Sequence, residues 1–173
     1  MTTPLWSARL PFPPSINAYY ENRRMTAPNF LKGGKVNPNA GKKFMGRMIG
    51  AAGLRFRQEV YAAVRSGHRA PPRLEGRLAL VVLLLPPAEM ADGRANRNRR
   101  DIGNVDKALE DALTHAGVIG DDSQFDDVRY LRGNPVKGGE AWVAIRPFDP
   151  SAVAAAGLDF GLAAEADLFD HGR

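Results

Sequence analysis

The chain has 173 residues and a mass of 18.8 kDa, enough for one domain with a real core and too little for two ordinary ones. Cysteine is absent, which excludes disulfides, a thiolate zinc centre and a cysteine nucleophile, and His68, His115 and His171 are too scattered for an imidazole cage. Residues 1–148 carry 23 basic and 14 acidic side chains, net +9; residues 149–173 carry one and five, net −4, and a basic body with an acidic tail is expected of a protein that meets a polyanion.

Residues 5–11 predict a short strand stopped by Pro11, Pro13 and Pro14. Residues 21–42, rich in Asn, Gly, Lys, Arg and Pro and without a period, read as a long basic loop. Over 43–66, Phe44, Met48, Ile49, Leu54, Phe56, Val60 and Val64 fall at helical spacing and predict one amphipathic helix, with Gly53 as its weak point. Residues 77–85 are an apolar run ended by Pro86 and Pro87 and predict a buried strand; residues 88–100 form a second basic loop. That apolar run is far too short to span a bilayer, and the N-terminus lacks the basic-then-apolar build of a signal peptide. A cytoplasmic protein with no membrane partner is therefore expected.

The clearest helix covers 103–116, where Val105, Ala108, Leu109, Ala112, Leu113 and Ala116 share one face and Gly117 stops it. Residues 128–132 and 141–146 predict strands joined as a hairpin through Lys137-Gly138-Gly139, and Trp6 and Trp142, on predicted strands, are assigned to the core. The expected fold is α+β, a small mixed sheet packed with two main helices in a single domain, not a doubly wound sheet. The domain is expected over 1–148 and a mobile acidic tail over 149–173.

Two acidic points bracket the 103–116 helix. Asp101 precedes it, Asp121-Asp122 follow the turn at its far end, and Lys107 stands on the polar face between them. Carboxylates from separate segments suit a hard divalent cation, which takes oxygen ligands, and a lysine beside them neutralises charge on a transferring phosphate. The same residues serve equally as a helix cap and a turn, so spacing alone leaves both readings open.

The segment Arg99-Arg100-Asp101-Ile102-Gly103-Asn104-Val105-Asp106-Lys107, then Asp111-Ala112-Leu113, Gly117 and Asp121-Asp122-Ser123-Gln124, resembles the RusA family of Holliday-junction resolvases. The family pattern is Arg-Asp-x-Asp-Asn, a lysine three residues on, Asp-Ala-Leu in a helix, and Asp-Asp-x-Gln. Pro13-Pro14-Ser15-Ile16-Asn17-Ala18-Tyr19-Tyr20 is similar to its opening Pro-Pro-Ser-x-Asn-x-x-Tyr, and the likeness continues through Arg129, Lys137, Gly138 and Gly139.

The resemblance implies a homodimeric endonuclease that nicks opposed strands of a four-way DNA junction in recombination or repair. Such enzymes use Mg²⁺, with Mn²⁺ as the expected substitute, and are often phage or prophage encoded. It implies catalytic roles for Asp101, Lys107 and Asp122, with Asp101, Asp122 and Asp121 at the metal. The chain departs from the pattern at Gly103, where the family has a second Asp. Three readings stand open: an enzyme working without that carboxylate, a substitute at Asp106 or Glu110, or a protein that binds junctions without cutting them.

Asn17, Arg23, Arg24, Arg94, Arg97, Arg99, Arg100 and Lys137 are the expected DNA contacts, most of them on two basic segments. Tyr19, Tyr20 and Phe30 are weighed between stacking on an unpaired base and ordinary packing. The tail sequence Glu165-Ala166-Asp167-Leu168-Phe169 is similar to the Gln-x-Asp-Leu-Phe peptides that dock bacterial sliding clamps, with Leu168 and Phe169 as the anchors and Glu in place of Gln.

Overall fold

Strand β1 (Trp6–Pro11) leads through the Pro13-Pro14 break into a four-residue helix, α1 (Ile16–Tyr19). Strands β2 (Tyr20–Thr26) and β3 (Lys43–Ile49) pair antiparallel as a separate two-stranded sheet. Helix α2 (Ala51–Arg65), strand β4 (Leu78–Leu85), helix α3 (Asp106–Ala116) and strands β5 (Phe125–Arg132) and β6 (Glu140–Pro147) complete the order. The computed structural model describes residues 3–66, 73–89, 96 and 101–151.

The main sheet runs β1-β6-β4-β5, with β6 antiparallel to both neighbours and β4 parallel to β5. β4 takes an inner position because its sequence, Leu-Ala-Leu-Val-Val-Leu-Leu-Leu, is apolar on both faces. Leu78, Leu80, Val82 and Leu84 on one face enter a single core with Val143 and Ile145 of β6, Phe56, Val60 and Val64 of α2, and Leu109 and Leu113 of α3. This is the expected mixed sheet with two main helices.

A parallel pair cannot be joined by a tight turn, so α3 serves as the crossover between β4 and β5. Its apolar stripe of Ala108, Leu109, Ala112, Leu113 and Ala116 is buried, which leaves Lys107, Glu110 and Asp111 off the core-facing stripe. Gly117 adopts φ 77°, and the Gly117 and Val118 N–H groups donate to the Thr114 and Leu113 carbonyls, closing the helix end.

Five expectations are corrected. Residues 21–26 are strand rather than loop, and the segment beyond them is tied by Asn37, whose Nδ2 donates to the Pro28 carbonyl while its Oδ1 accepts from Asn39 N–H. The single helix over 43–66 is instead strand β3 followed by α2, because Phe44, Met45 and Met48 stand exposed on the hairpin and Gly50 caps the helix in an extended conformation. β5 and β6 do not form a hairpin; β4 lies between them, so Lys137 sits exposed in a longer connection. Trp142 is 40% exposed on the sheet face away from the helices, beneath the Arg9 guanidinium at 4.5 Å, its indole N–H donating to Glu140.

Gly53 is a contact point rather than a weak point. A Cβ there would lie 2.5 Å from the Tyr19 carbonyl oxygen and 2.7 Å from Ile49 Cγ2. Gly53→Ala therefore forces α2 away from α1 and is expected to destabilise by about 1–3 kcal/mol, despite alanine's better helix propensity. Urea unfolding checks this; equal or higher stability of the variant contradicts the packing account.

Candidate active site

Asp101 stands five residues before the first residue of α3. Its Oδ1 accepts the Gly103 N–H at 3.2 Å and so caps the 3-10 turn Ile102–Asn104 that leads into the helix. One turn later Lys107 projects from the start of α3. Its ammonium donates to Asp111 Oδ1 at 2.9 Å, one helical turn on, and to Asp122 Oδ2. The Asp122 hydrogen bond holds the Lys107 amine above its ordinary range, and the Asp111 bond adds to this against the opposing effect of partial burial. Lys107 is therefore cationic throughout the physiological range.

Asp122 is presented by a second 3-10 turn, Asp122–Gln124. Here the Asp-Asp-x-Gln pattern has a local physical meaning. Asp121 Oδ1 caps the turn by accepting Ser123 N–H at 3.0 Å, and hydrogen bonding to Ser123 lowers the pKa of this exposed carboxylate. Gln124 Oε1 accepts the N–H groups of Gly120 and Asp121, while its Nε2 donates to the Leu74 and Gly76 carbonyls just before β4. Asp121 and Gln124 build the turn, and Asp122 carries the carboxylate that meets Lys107.

Asp106 and Glu110, the candidate substitutes for the carboxylate missing at Gly103, lie on the same helix. Asp106 Oδ1 accepts the Lys107 backbone N–H at 2.7 Å. Burial, then the charges of Asp106 and Asp122, push the Glu110 carboxyl upward, so the three carboxylates share one electrostatic neighbourhood. Tyr130 of β5 reaches the Asp106 carbonyl at 3.4 Å and Glu110 at 3.5 Å, and burial raises its phenol strongly.

The donor chemistry suits a hard divalent cation. The ligand atoms on offer at Asp101, Asp106, Glu110 and Asp122 are all carboxylate oxygens, and the repulsion that Asp106 and Asp122 exert on Glu110 is what a cation relieves. Among the described residues, no three carboxylates or histidines close on a common point, with Lys107 standing against Asp122. Gly103 itself faces open space. A Cβ there would meet only Asp101 Oδ1, at 3.9 Å.

Two features beside this centre have no signature in the local sequence. Tyr20 Oη donates to Asp111 Oδ2 at 2.7 Å, and Arg57 Nη2 lies 3.4 Å from the same oxygen. Burial alone would raise Asp111; the bonds from Lys107 and Tyr20 and the charges of Lys107 and Arg57 outweigh it and hold the carboxyl low. Arg47 of β3 lies over the Tyr20 ring at 4.3 Å, and both residues line a cleft of about 730 Å³ with Asn17, Glu21 and Asn22. Tyr20 is thus committed to this network, and Tyr19 is fully buried, its hydroxyl accepting from Arg57 Nε at 2.5 Å. Phe30 is 61% exposed. Arg23 and Arg24 are exposed on β2, facing Gly46 and Met45 in register. Arg94, Arg97, Arg99, Arg100, Leu168 and Phe169 lie outside the described residues.

The family model for Endodeoxyribonuclease RusA matches residues 32–146. The chain belongs to the RusA endodeoxyribonuclease family. The Crossover junction endodeoxyribonuclease rusA of Enterobacteria phage HK97 is 32% identical over 136 residues, 79% of this chain and 89% of its own. The enzymes of the same name from Shigella sonnei strain Ss046 and Escherichia coli strain K12 are each 31% identical over 140 residues, 81% of this chain and 92% of theirs. Among the described residues, no helix is long and apolar enough to cross a membrane.

Of the residues that the RusA resemblance implicated, Lys107 and Asp122 are in direct contact, and Asp101 opens the turn that leads to Lys107. The interactions of Asp111 with Tyr20 and Arg57 were hidden because their partners are 91 and 54 residues away in sequence. The i,i+4 spacing from Lys107 was the one available signal.

The turn that carries Asp122 generates a stability prediction. Gln124→Ala removes four hydrogen bonds from the junction between that turn and the β4 approach and is expected to cost about 1–3 kcal/mol, read by denaturant unfolding. A variant as stable as the parent would show that the turn does not depend on Gln124.

Proposed function

We propose that this chain acts as a homodimeric, divalent-metal-dependent endonuclease that resolves four-way DNA junctions by paired symmetrical nicks. The observation that carries the reading is the Lys107–Asp122 pair, which joins the two halves of the family motif across α3. The names of the matched relatives, crossover junction endodeoxyribonucleases, supply the substrate class. The basic body supplies affinity for branched DNA through phosphate contacts, with Arg23, Arg24, Asn17, Lys137 and the arginines of residues 94–100 as the contacts. A four-way junction has two-fold symmetry, and two coordinated cuts need two centres related by the same axis. Phage HK97 and phage 82 are among the sources of the relatives, which supports a phage or prophage setting for the gene.

In this reading Asp122 and Asp101 hold the metal, with Asp106 or Glu110 taking the place of the carboxylate absent at Gly103. A divalent ion bound there would polarise the phosphodiester and lower the pKa of an attacking water. Lys107 donates to the non-bridging phosphate oxygens, where negative charge grows as phosphorus becomes five-coordinate. Its bond to Asp111 is in place before DNA arrives, and only its Asp122 partner has to be exchanged for phosphate and metal. Asp101 keeps one oxygen on Gly103 N–H, which aims its carboxylate from the start of the turn.

Incubation with a synthetic four-way junction and Mg²⁺ or Mn²⁺ tests the reading. Paired nicks at symmetrical positions are expected, and Asp122→Asn is expected to abolish them while leaving junction binding in EDTA unchanged. Normal cutting by Asp122→Asn would overturn the site. Binding without cutting by the unmodified protein would favour the alternative, a junction-binding protein that has lost catalysis through Gly103.

Gly103 gives a second prediction. The position has room for a side chain and no left-handed backbone requirement. Gly103→Asp should fold normally and lower the Mg²⁺ concentration needed for half-maximal cutting by about tenfold or more, by analogy with the effect of site carboxylates on metal affinity. Mn²⁺ should serve the unmodified protein better than Mg²⁺. If the metal requirement does not change, the substitute carboxylate is already in place, and Asp106→Asn and Glu110→Gln identify it.

A further inference from the structure

We propose that Asp111 is a positioning residue of the centre, a half-buried anchor that holds the Lys107 ammonium in place whether or not Asp122 is engaged elsewhere. The proposal rests on the nuclease reading for its function, and on the following geometry for its structure.

The two oxygens of Asp111 are divided between two tasks. Oδ1 accepts from Lys107 Nζ at 2.9 Å; Oδ2 accepts from Tyr20 Oη at 2.7 Å, with Arg57 Nη2 at 3.4 Å. The Asp111 side chain is 16% exposed and the Lys107 side chain 42%, so the anchor sits inside and the amine at the surface. Arg57 is in turn fixed by its Nε bond to the hydroxyl of the fully buried Tyr19. Tyr20 is fixed by its pairing with Ile49 at the base of the hairpin. Three separate segments, the α1–β2 junction, α2 and α3, therefore converge on one carboxylate.

Such a convergence answers a specific need. A lysine side chain is a flexible four-carbon stem that loses much rotamer freedom when it is held in one geometry. A single carboxylate on a surface turn leaves much of that freedom, and Asp122 is the same group assigned to a metal. Whatever cation takes charge from Asp122 weakens its hold on Lys107. Asp111 does not face that competition, because its second oxygen is occupied by groups that belong to the fold. The ammonium then has one permanent partner and one exchangeable partner.

Asp111→Asn keeps the shape and removes the charge. Under single-turnover conditions with saturating protein, it is expected to slow junction cutting about 10- to 100-fold, the range for a misplaced reacting group. Junction affinity in EDTA is expected to stay within about twofold, since the DNA contacts lie elsewhere. Tyr20→Phe, which deletes only the hydroxyl on Asp111, is expected to slow cutting less. The double variant should be no slower than Asp111→Asn alone, because both changes act through one carboxylate. The side-chain ¹⁵N ammonium signal of Lys107 gives a readout independent of cutting: ordered in the unmodified protein and mobile in Asp111→Asn. Unchanged cutting in Asp111→Asn, multiplicative effects in the double variant, or a Lys107 signal indifferent to Asp111→Asn would each overturn the proposal. If the unmodified protein binds junctions and cuts none, the nuclease reading fails on its own, and the ammonium signal alone decides for or against Asp111.

Discussion

A lysine ammonium shared between two carboxylates is the interaction around which this molecule is arranged. Lys107 stands in the first turn of the crossover helix, Asp122 on the turn after that helix ends, and Asp111 one helical turn beyond Lys107. Joining the entrance of the crossover to its exit requires that α3 be held firmly against the sheet. The fully buried stripe from Ala108 to Ala116 and the glycine stop at Gly117 meet that requirement. The polar face then needs only short reaches to assemble the centre.

The charges make the arrangement coherent. Lys107 and Arg57 face Asp111 and Asp122, two cations against two anions, so that neither carboxylate is left half-buried without a partner. Glu110 is different. Its burial, together with Asp106 and Asp122, raises its pKa. The half of the centre near Asp111 is thus neutralised by the protein itself, and the half near Glu110 retains an excess of negative charge. In the proposed reading, this asymmetry sets a positive phosphate-binding group beside a cation site. The exposed hairpin of β2 and β3 connects to the neutralised half through Tyr20, placing Arg23 and Arg24 on an arm whose base touches the centre.

How much of this the sequence revealed depended on how each element is buried. β4 and α3 were legible because one is apolar on both faces and the other carries a clean helical stripe. The hairpin was not, because Tyr20–Thr26 and Lys43–Ile49 are largely exposed and show no alternation to read. Phe44, Met48 and Ile49 instead lent β3 a spurious helical spacing that merged it with α2. Strand pairing was hidden as well: no local feature marks that β4 separates β5 from β6. At the site, the Asp101, Lys107 and Asp122 motif was legible through family resemblance, whereas spacing alone left caps and ligands indistinguishable. The structure shows why, since Asp101 and Asp121 do cap their turns. Asp111 lay in plain view within the motif, but its meaning depends on Tyr20 and Arg57, which only the fold brings near.

The most direct test of this account is a double-mutant cycle between Lys107 and Asp122, using Lys107→Met and Asp122→Asn, with unfolding free energies measured in EDTA at low salt. The pair is half-exposed, so the coupling predicted is modest, about 1 kcal/mol, and it should shrink as salt is added. Additive effects, with no coupling at low salt, would contradict the claim that this ion pair ties the two ends of the crossover together.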